Sequence, residues 1–280
     1  MALGAGIFYF ITRGVDFVSL GIALAFVLFT GFGITIGYHR YFTHAGFEIK
    51  ALWLEKLLAI AGSMSAEGPV FAWVSWHRQH HAHTDKPGDP HSPHLHGEGF
   101  VNVTKGFLHA HMFWLFNPPV IADAHVRKLR ENRAVAKINK QFVWWVIAGF
   151  VFPMVVGVFL RRSFDHLFID FLWGGPIRMM FVHQVTWSVN SVCHLWGEQP
   201  FETGDESRNH FLVALLGHGE GWHNNHHAFQ RSAKHGLLKG QFDLTWLVIC
   251  GFYKLGLIGE PYVPDEARIS EKLRKTPPQR

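Results

Sequence analysis

The chain alternates uncharged apolar runs with polar segments in which histidines cluster. From Phe17 to Tyr38 there is no charged residue, and the run is long enough for a helix to cross the ~30 Å hydrocarbon core of a bilayer. Gly21, Gly31, Gly33 and Gly37 within it are unfavourable in an aqueous helix but common in membrane helices. Residues 2–12 are also apolar but too few to span, so the first expected crossing is 17–38. Phe142 to Leu160 is again uncharged, with Pro153 as a kink point. After the tight connection Arg161-Arg162-Ser163, Phe164 to Val189 is expected to return across the membrane. Asp170 and Arg178 interrupt that run and are read as structural partners, because ionisable groups at membrane depth face a protein interior.

Between these runs the pattern is mixed. Residues 52–66 read as an amphipathic or interfacial helix, ended by Glu67-Gly68-Pro69. Val70 to Trp76 leads into a histidine cluster, and Thr84 to Pro90 is turn-forming. Residues 91–105 read as an exposed loop, 106–121 as an aromatic interfacial segment, 123–140 as a solvated helix, and the tail from Pro261 as peripheral. The start shows neither a basic n-region nor a small-residue cleavage site, so no signal peptide is expected.

Composition supports a membrane class. Hydrophobic residues make up 48% of the 280 and charged residues only 17%, below the ~25% usual for soluble domains. The two cysteines, Cys193 and Cys250, form no Cys-x-x-Cys pair. This excludes a zinc ribbon or iron–sulfur site and leaves them as small hydrophobes. Of the 26 Lys and Arg, 12 lie in residues 40–140 and ten in 208–280. The positive-inside rule places both segments in the cytoplasm. The net charge of +5 suits anionic headgroups, an acidic thioester carrier or an acidic electron donor better than nucleic acid.

The candidate chemistry lies in the histidines. His77, His80 and His81 repeat the spacing of His223, His226 and His227, at i, i+3 and i+4. On a helix these fall on one face, and imidazole binds iron, zinc, copper and nickel. Each triplet is read as a partial metal site. His39 and His44 add two more ligands, although five residues apart is not one face of a regular helix, so a distortion or helix end is expected between them. The count exceeds what one ion uses and points to two metals. Of the other histidines, His91, His109 and His111 are candidates to orient ligands; His94 and His96 read as solvated loop residues, Glu220 as a helix-start residue, and Trp76 and Trp222 as packing anchors. No His-Glu-x-x-His occurs, which argues against a zinc protease.

Taken in order, Gly37 to His44, Trp76 to His81, Asp89-Pro90-His91, Asn190 to His194 and Gly219 to Leu237 resemble the membrane fatty acyl desaturase family, the group containing stearoyl-CoA desaturase, and its bacterial branch in particular. The resemblance covers about residues 25–260. It implies an all-α integral membrane fold of three or four transmembrane helices carrying a cytoplasmic helical cap, with one domain over residues 1–280, spans at 17–38, 142–160 and 164–189, and cytoplasmic segments 39–141 and 190–280. It implies two iron ions held by His39, His44, His77, His80, His81, His194, His223, His226 and His227, with Asn190 reaching a metal through water. It further implies dioxygen as co-substrate and a cis double bond placed at carbon 9 of a saturated acyl-CoA or acyl-lipid chain. The inner membrane of a bacterium, with the site facing the cytoplasm, is the expected location. No His-Pro-Gly-Gly motif occurs, so electrons are expected from a separate ferredoxin or cytochrome b5-type donor and its reductase. Val27 and Gly31, one turn apart ahead of His39, are expected to close the acyl tunnel. Two rivals stand beside this reading: a di-iron alkyl hydroxylase, which makes an alcohol, and a histidine-rich metal transporter, which makes no product.

Overall fold

The computed structural model describes residues 16–275 and Gly4; the apolar stretch 2–12 lies otherwise outside the described residues. Among these the regular elements are all helices, and strand pairing is limited to isolated bridges such as Ile49–Ile258 and Phe201–Leu273.

Helix α1 (Phe17–Phe32) starts at Asp16, whose carboxylate accepts hydrogen bonds from the amides of Val18 and Ser19. It continues without a break as a π-helix, Gly33–Thr43. There the backbone bonds run from residue i to i+5, as in His44 N–H to His39 C=O at 3.1 Å. The wider turn is the expected distortion, and it brings His39 and His44 together, with ring centroids 4.9 Å apart. Helix α2 (Leu52–Ser63) packs across the π-helix. A Cβ on Gly33 would lie 2.2 Å from the Gly62 amide nitrogen, so only glycine permits this approach.

Helix α3 (Val70–His83) carries the second histidine cluster. Helix α4 (Phe100–His111) takes in residues 100–105 of the segment expected to be loop. Nor is that segment fully exposed: His91 and Ser92 are buried, because the Asp89–His91 turn folds under His80. The expected solvated helix 123–140 is two helices, α5 (Asp123–Glu131) and α6 (Arg133–Lys140). Asn132 divides them and caps α6, while Val126, Val135 and Ile138 are buried in the core with Tyr38, Phe71 and Val74.

Helix α7 (Phe142–Arg161) runs through Pro153, and α8 (Leu167–Leu172), a short π-turn (Trp173–Ile177) and α9 (Arg178–Leu195) form one helical run. Among the described residues, two helices, Phe17–Thr43 and Phe142–Arg161, are long and apolar enough to cross a membrane, against three or four expected. Apolar residues of α7, including Val143, Trp144, Phe152 and Phe159, point outward. Asp170 and Arg178 do not pair with each other. Asp170 accepts from Ser19 and Arg161, whereas Arg178 donates to the carbonyls of Met64, Gly149 and Gly174. Apart from the Gly174 carbonyl, one turn before Arg178, these partners lie on other elements, which the spacing of one helix cannot reveal.

Helices α10 (Phe211–Leu216), α11 (His223–Ala228), α12 (Leu244–Lys254) and α13 (Glu266–Lys272) complete the cap. The tail is not merely peripheral: Leu273 bridges to Phe201, and Lys272 Nζ donates to the Ala228 carbonyl at 2.6 Å.

Candidate metal centre

All nine sequence-selected histidines meet, but not box by box. His39, His44, His77, His81 and His226 form one group and His80, His194, His223 and His227 a second, the ligand nitrogens within each lying within 4.8 Å of one another. Each triplet is therefore split. In both, the i and i+4 rings serve one group and the i+3 ring the other. The helix explains this: i and i+4 differ by only about 40° in direction, whereas i+3 and i+4 differ by about 100°. The reading of each box as a single tridentate site is corrected accordingly.

The donor set fits a metal at each group. The Nε2 atoms converge: His39 to His226 at 3.1 Å, His226 to His81 at 3.0 Å, His77 to His81 at 3.0 Å, and His194 to His223 at 3.0 Å. Carboxylates hold the opposite nitrogens. Nδ1 lies 2.5 Å from Glu220 in His39, 3.0 Å from Asp89 in His80, 3.0 Å from Asp85 in His194 and 2.9 Å from Asp205 in His227. A ring that donates from Nδ1 presents a bare lone pair at Nε2, the tautomer a metal requires. Burial, then repulsion among neighbouring rings, holds His77, His81, His223 and His226 well below the ordinary histidine pKa, so they are neutral. Burial works against ionisation of Glu220, but His235, Arg40 and His39 outweigh it and keep the carboxyl well below its usual range. Removing one carboxylate should loosen the ring it holds. Asp89→Asn is expected to weaken metal binding about 10–100-fold, the usual cost of losing such a partner, measured as metal retained during titration with a chelator; unchanged retention would count against this role.

Three residues escaped the sequence reading. Glu220 is no helix-start residue: it is buried between His39 and Arg40, where Arg40 Nη2 donates to it at 2.9 Å. His235 is 1% exposed and packs, tilted, against His226 with ring centroids 4.6 Å apart. Glu67 is half-buried beside Trp73, with its Oε1 enclosed; Trp73 Nε1 donates to its Oε2 at 3.3 Å, and desolvation raises its pKa to about 7. Nothing local in the sequence singles these out, since each acts across the fold. His94 is not a free loop residue, because its Nε2 meets the His194 carbonyl at 2.7 Å. His91 stacks on His80 at 4.5 Å and His109 bonds to the Pro90 carbonyl, whereas His111 turns to Ser191 and Gln184. Trp76 and Trp222 anchor loops through Pro119 and Phe242.

Beside the groups lies an apolar cavity. Val27, Gly31, Val182, Val185 and Val189 line it, and His39, His77, His223 and Asn190 form its polar end. The His218 ring packs on Gly31, so close that a Cβ there would fall 2.6 Å from it. The site thus joins two nitrogen-rich metal-binding groups to a slot for an apolar chain.

Comparison with known proteins agrees with that chemistry. The family model described as fatty acid desaturase matches residues 17–238. The chain is 38% identical over 258 residues to hex-5-enoyl-(acyl-carrier protein) acetylenase of Moorena producens (strain JHB), covering 91% of this chain and 80% of that protein. It is 36% identical to the sn-1 stearoyl-lipid 9-desaturase of Anabaena variabilis, covering 90% and 86%. With the acyl-CoA C20 Delta5-desaturase of Anemone leveillei the identity is 38%, covering 84% and 70%. The chain therefore belongs to the fatty acid desaturase family.

Proposed function

We propose that this oxidoreductase inserts a cis double bond at carbon 9 of a saturated fatty acyl chain, using dioxygen and two iron ions. The observation that carries the reading is the apolar cavity whose polar end is made of His39, His77 and His223, members of both histidine groups. The ligands of one ion would be His39, His44, His77, His81 and His226, and those of the other His80, His194, His223 and His227, with Asn190 contributing through water. Iron there supplies the oxidising power that an unactivated methylene pair demands and that no side chain possesses. The protein's own part is positional. Glu220, Asp85, Asp89 and Asp205 fix ring orientation, and the valine-lined walls hold the chain and exclude water so that one carbon pair faces the histidines. Carbon 9 is favoured by the stearoyl-lipid 9-desaturase relatives. Relatives act on acyl-lipid, acyl-CoA and acyl-carrier-protein chains by name, and the lipid-linked or CoA-linked chain is the proposed substrate class.

Residues 1–280 are read as one unit in a bacterial inner membrane. The run 167–195 is taken as a third crossing beside Phe17–Thr43 and Phe142–Arg161, its Asp170 and Arg178 satisfied by internal partners. The Lys and Arg distribution supports a cytoplasmic position for the histidine end.

Fatty-acid analysis of expressing cells tests the activity: a new cis-9 monounsaturated acid is expected, while a hydroxylated acid would shift the assignment to a hydroxylase. Val27 and Gly31 are taken to close the chain end of the cavity. Gly31→Trp, which must displace His218, is expected to shift products toward shorter chains; an unchanged profile sinks that role.

A further inference from the structure

We propose that the surface centred on Gln230 and Arg231 is the docking face for the electron donor, a small one-electron carrier protein with an acidic face. The inference rests on the desaturase reading and adds to it where reducing power arrives.

The reaction fixes what must be delivered. When CH2–CH2 becomes CH=CH, the chain gives up two protons and two electrons. Dioxygen takes up four electrons in leaving as two waters, so two more electrons and two protons must come from elsewhere. The protons come from solvent and the electrons from a carrier that is itself oxidised, once per electron. The chain occupies the apolar cavity, so the carrier needs a different approach.

The structure offers two such approaches, and they adjoin. A groove of 380 Å³ is lined by His44 and His81 of the first histidine group, together with Arg78, Gln230 and Arg231. A larger one of 1150 Å³ is lined by His227 of the second group, again with Gln230 and Arg231. Neither shares a lining residue with the apolar cavity. A single protein seated over Gln230 and Arg231 would therefore face the walls of both groups. The wall at His227 is one residue thick: the residue is 7% exposed but its side chain only 1%, so its main chain meets the groove while its ring belongs to the second group.

The charge of the face selects the partner. Arg231, Arg268, Lys272, Arg274 and Lys275 line the larger groove against Glu202 and Glu271. Among the described residues, only Arg268 of these cations pairs with a carboxylate, Asp265 at 3.7 Å. Arg231, Lys272 and Arg274 are held by neutral partners that leave their charge unspent. The Arg231 guanidinium lies 5.6 Å from the Tyr262 ring centre, Lys272 lies 4.9 Å from that of Phe229, and Arg274 Nε donates to the Phe201 carbonyl at 3.3 Å. Ordered cations without counter-charges steer an acidic protein and fix its register. The anionic head of an acyl carrier would instead have to be continuous with the apolar cavity.

The test uses the full chain, iron-loaded in lipid nanodiscs, with a plant-type two-iron, two-sulfur ferredoxin as probe. Arg231→Glu/Arg268→Glu is compared with the neutral Arg231→Gln/Arg268→Gln pair and with Lys128→Glu on the exposed face of α5. Ferredoxin binding is expected to be salt-sensitive in the wild type, about tenfold weaker and flatter with salt in the Glu pair, intermediate in the Gln pair and unchanged in Lys128→Glu. Iron content, the KM for the acyl substrate and turnover driven by dithionite should be the same in all four. No salt-sensitive binding by the wild type, or equal binding by the Glu pair, overturns the proposal. So does a raised KM for the acyl substrate with ferredoxin binding intact, which would assign the groove to the carrier's anionic head. If dithionite-driven wild type makes no alkene, the desaturase reading fails, separately from the binding result.

Discussion

Replacing His226 with alanine is expected to abolish alkene formation while the protein remains folded. His226 is fully buried, with Nε2 3.1 Å from that of His39 and 3.0 Å from that of His81. It is the only histidine that its short helix contributes to the first group, since His223 and His227 turn to the second. No neighbouring ring can therefore take over its direction. Loss of a carboxylate behind a ligand costs about 10–100-fold, and loss of the ligand itself should exceed that. Iron should be lost chiefly from the first group, and the new monounsaturated acid should disappear from expressing cells. His166→Ala is the control, because His166 lies at the opposite end of α7, bonded to Asp16. Full activity in His226→Ala would remove the five-histidine group from the mechanism.

Arg40→Met should be the most destabilising substitution of a charged residue. Arg40 is 1% exposed. Its guanidinium donates to Glu220 at 2.9 and 3.1 Å, to both Asp243 oxygens at 3.1 Å, and to the Ala233 carbonyl at 2.7 Å. Asp243 in turn caps α12 and accepts from the amides of His235 and Gly236. Methionine fills similar space but leaves two buried carboxylates without a cation, a loss of about 3–5 kcal/mol. Arg130 and Asp123 provide the comparison: they also meet at 2.8 Å, but both are exposed. Arg130→Met should cost at most about 1 kcal/mol. Thermal unfolding in detergent separates the two. Arg40→Met should also lose iron, because Glu220 orients His39 only while Arg40 holds it. Equal melting of both variants would show that the buried network contributes no stability.

The sequence by itself determined whatever is encoded locally. Uncharged apolar runs at 17–38 and 142–160 mark most of the helices Phe17–Thr43 and Phe142–Arg161, because a helix that crosses lipid needs unbroken apolar length. Ligand histidines are legible because helical spacing places i, i+3 and i+4 side chains together. The ordered boxes were enough to indicate the family, and the comparisons agree. Only the tertiary structure decided what depends on contacts between distant segments. It split each histidine triplet between two groups, since the choice of neighbour for an i+3 ring is made by the facing helix. It joined His39 to Glu220 across 181 positions and His194 to Asp85 across 109. It satisfied Asp170 and Arg178 separately, and it turned the end of α1 into a π-helix so that His39 and His44 share a side. Helical periodicity extends only a turn or two along the chain, whereas a buried charge takes whichever partner the packing brings within reach.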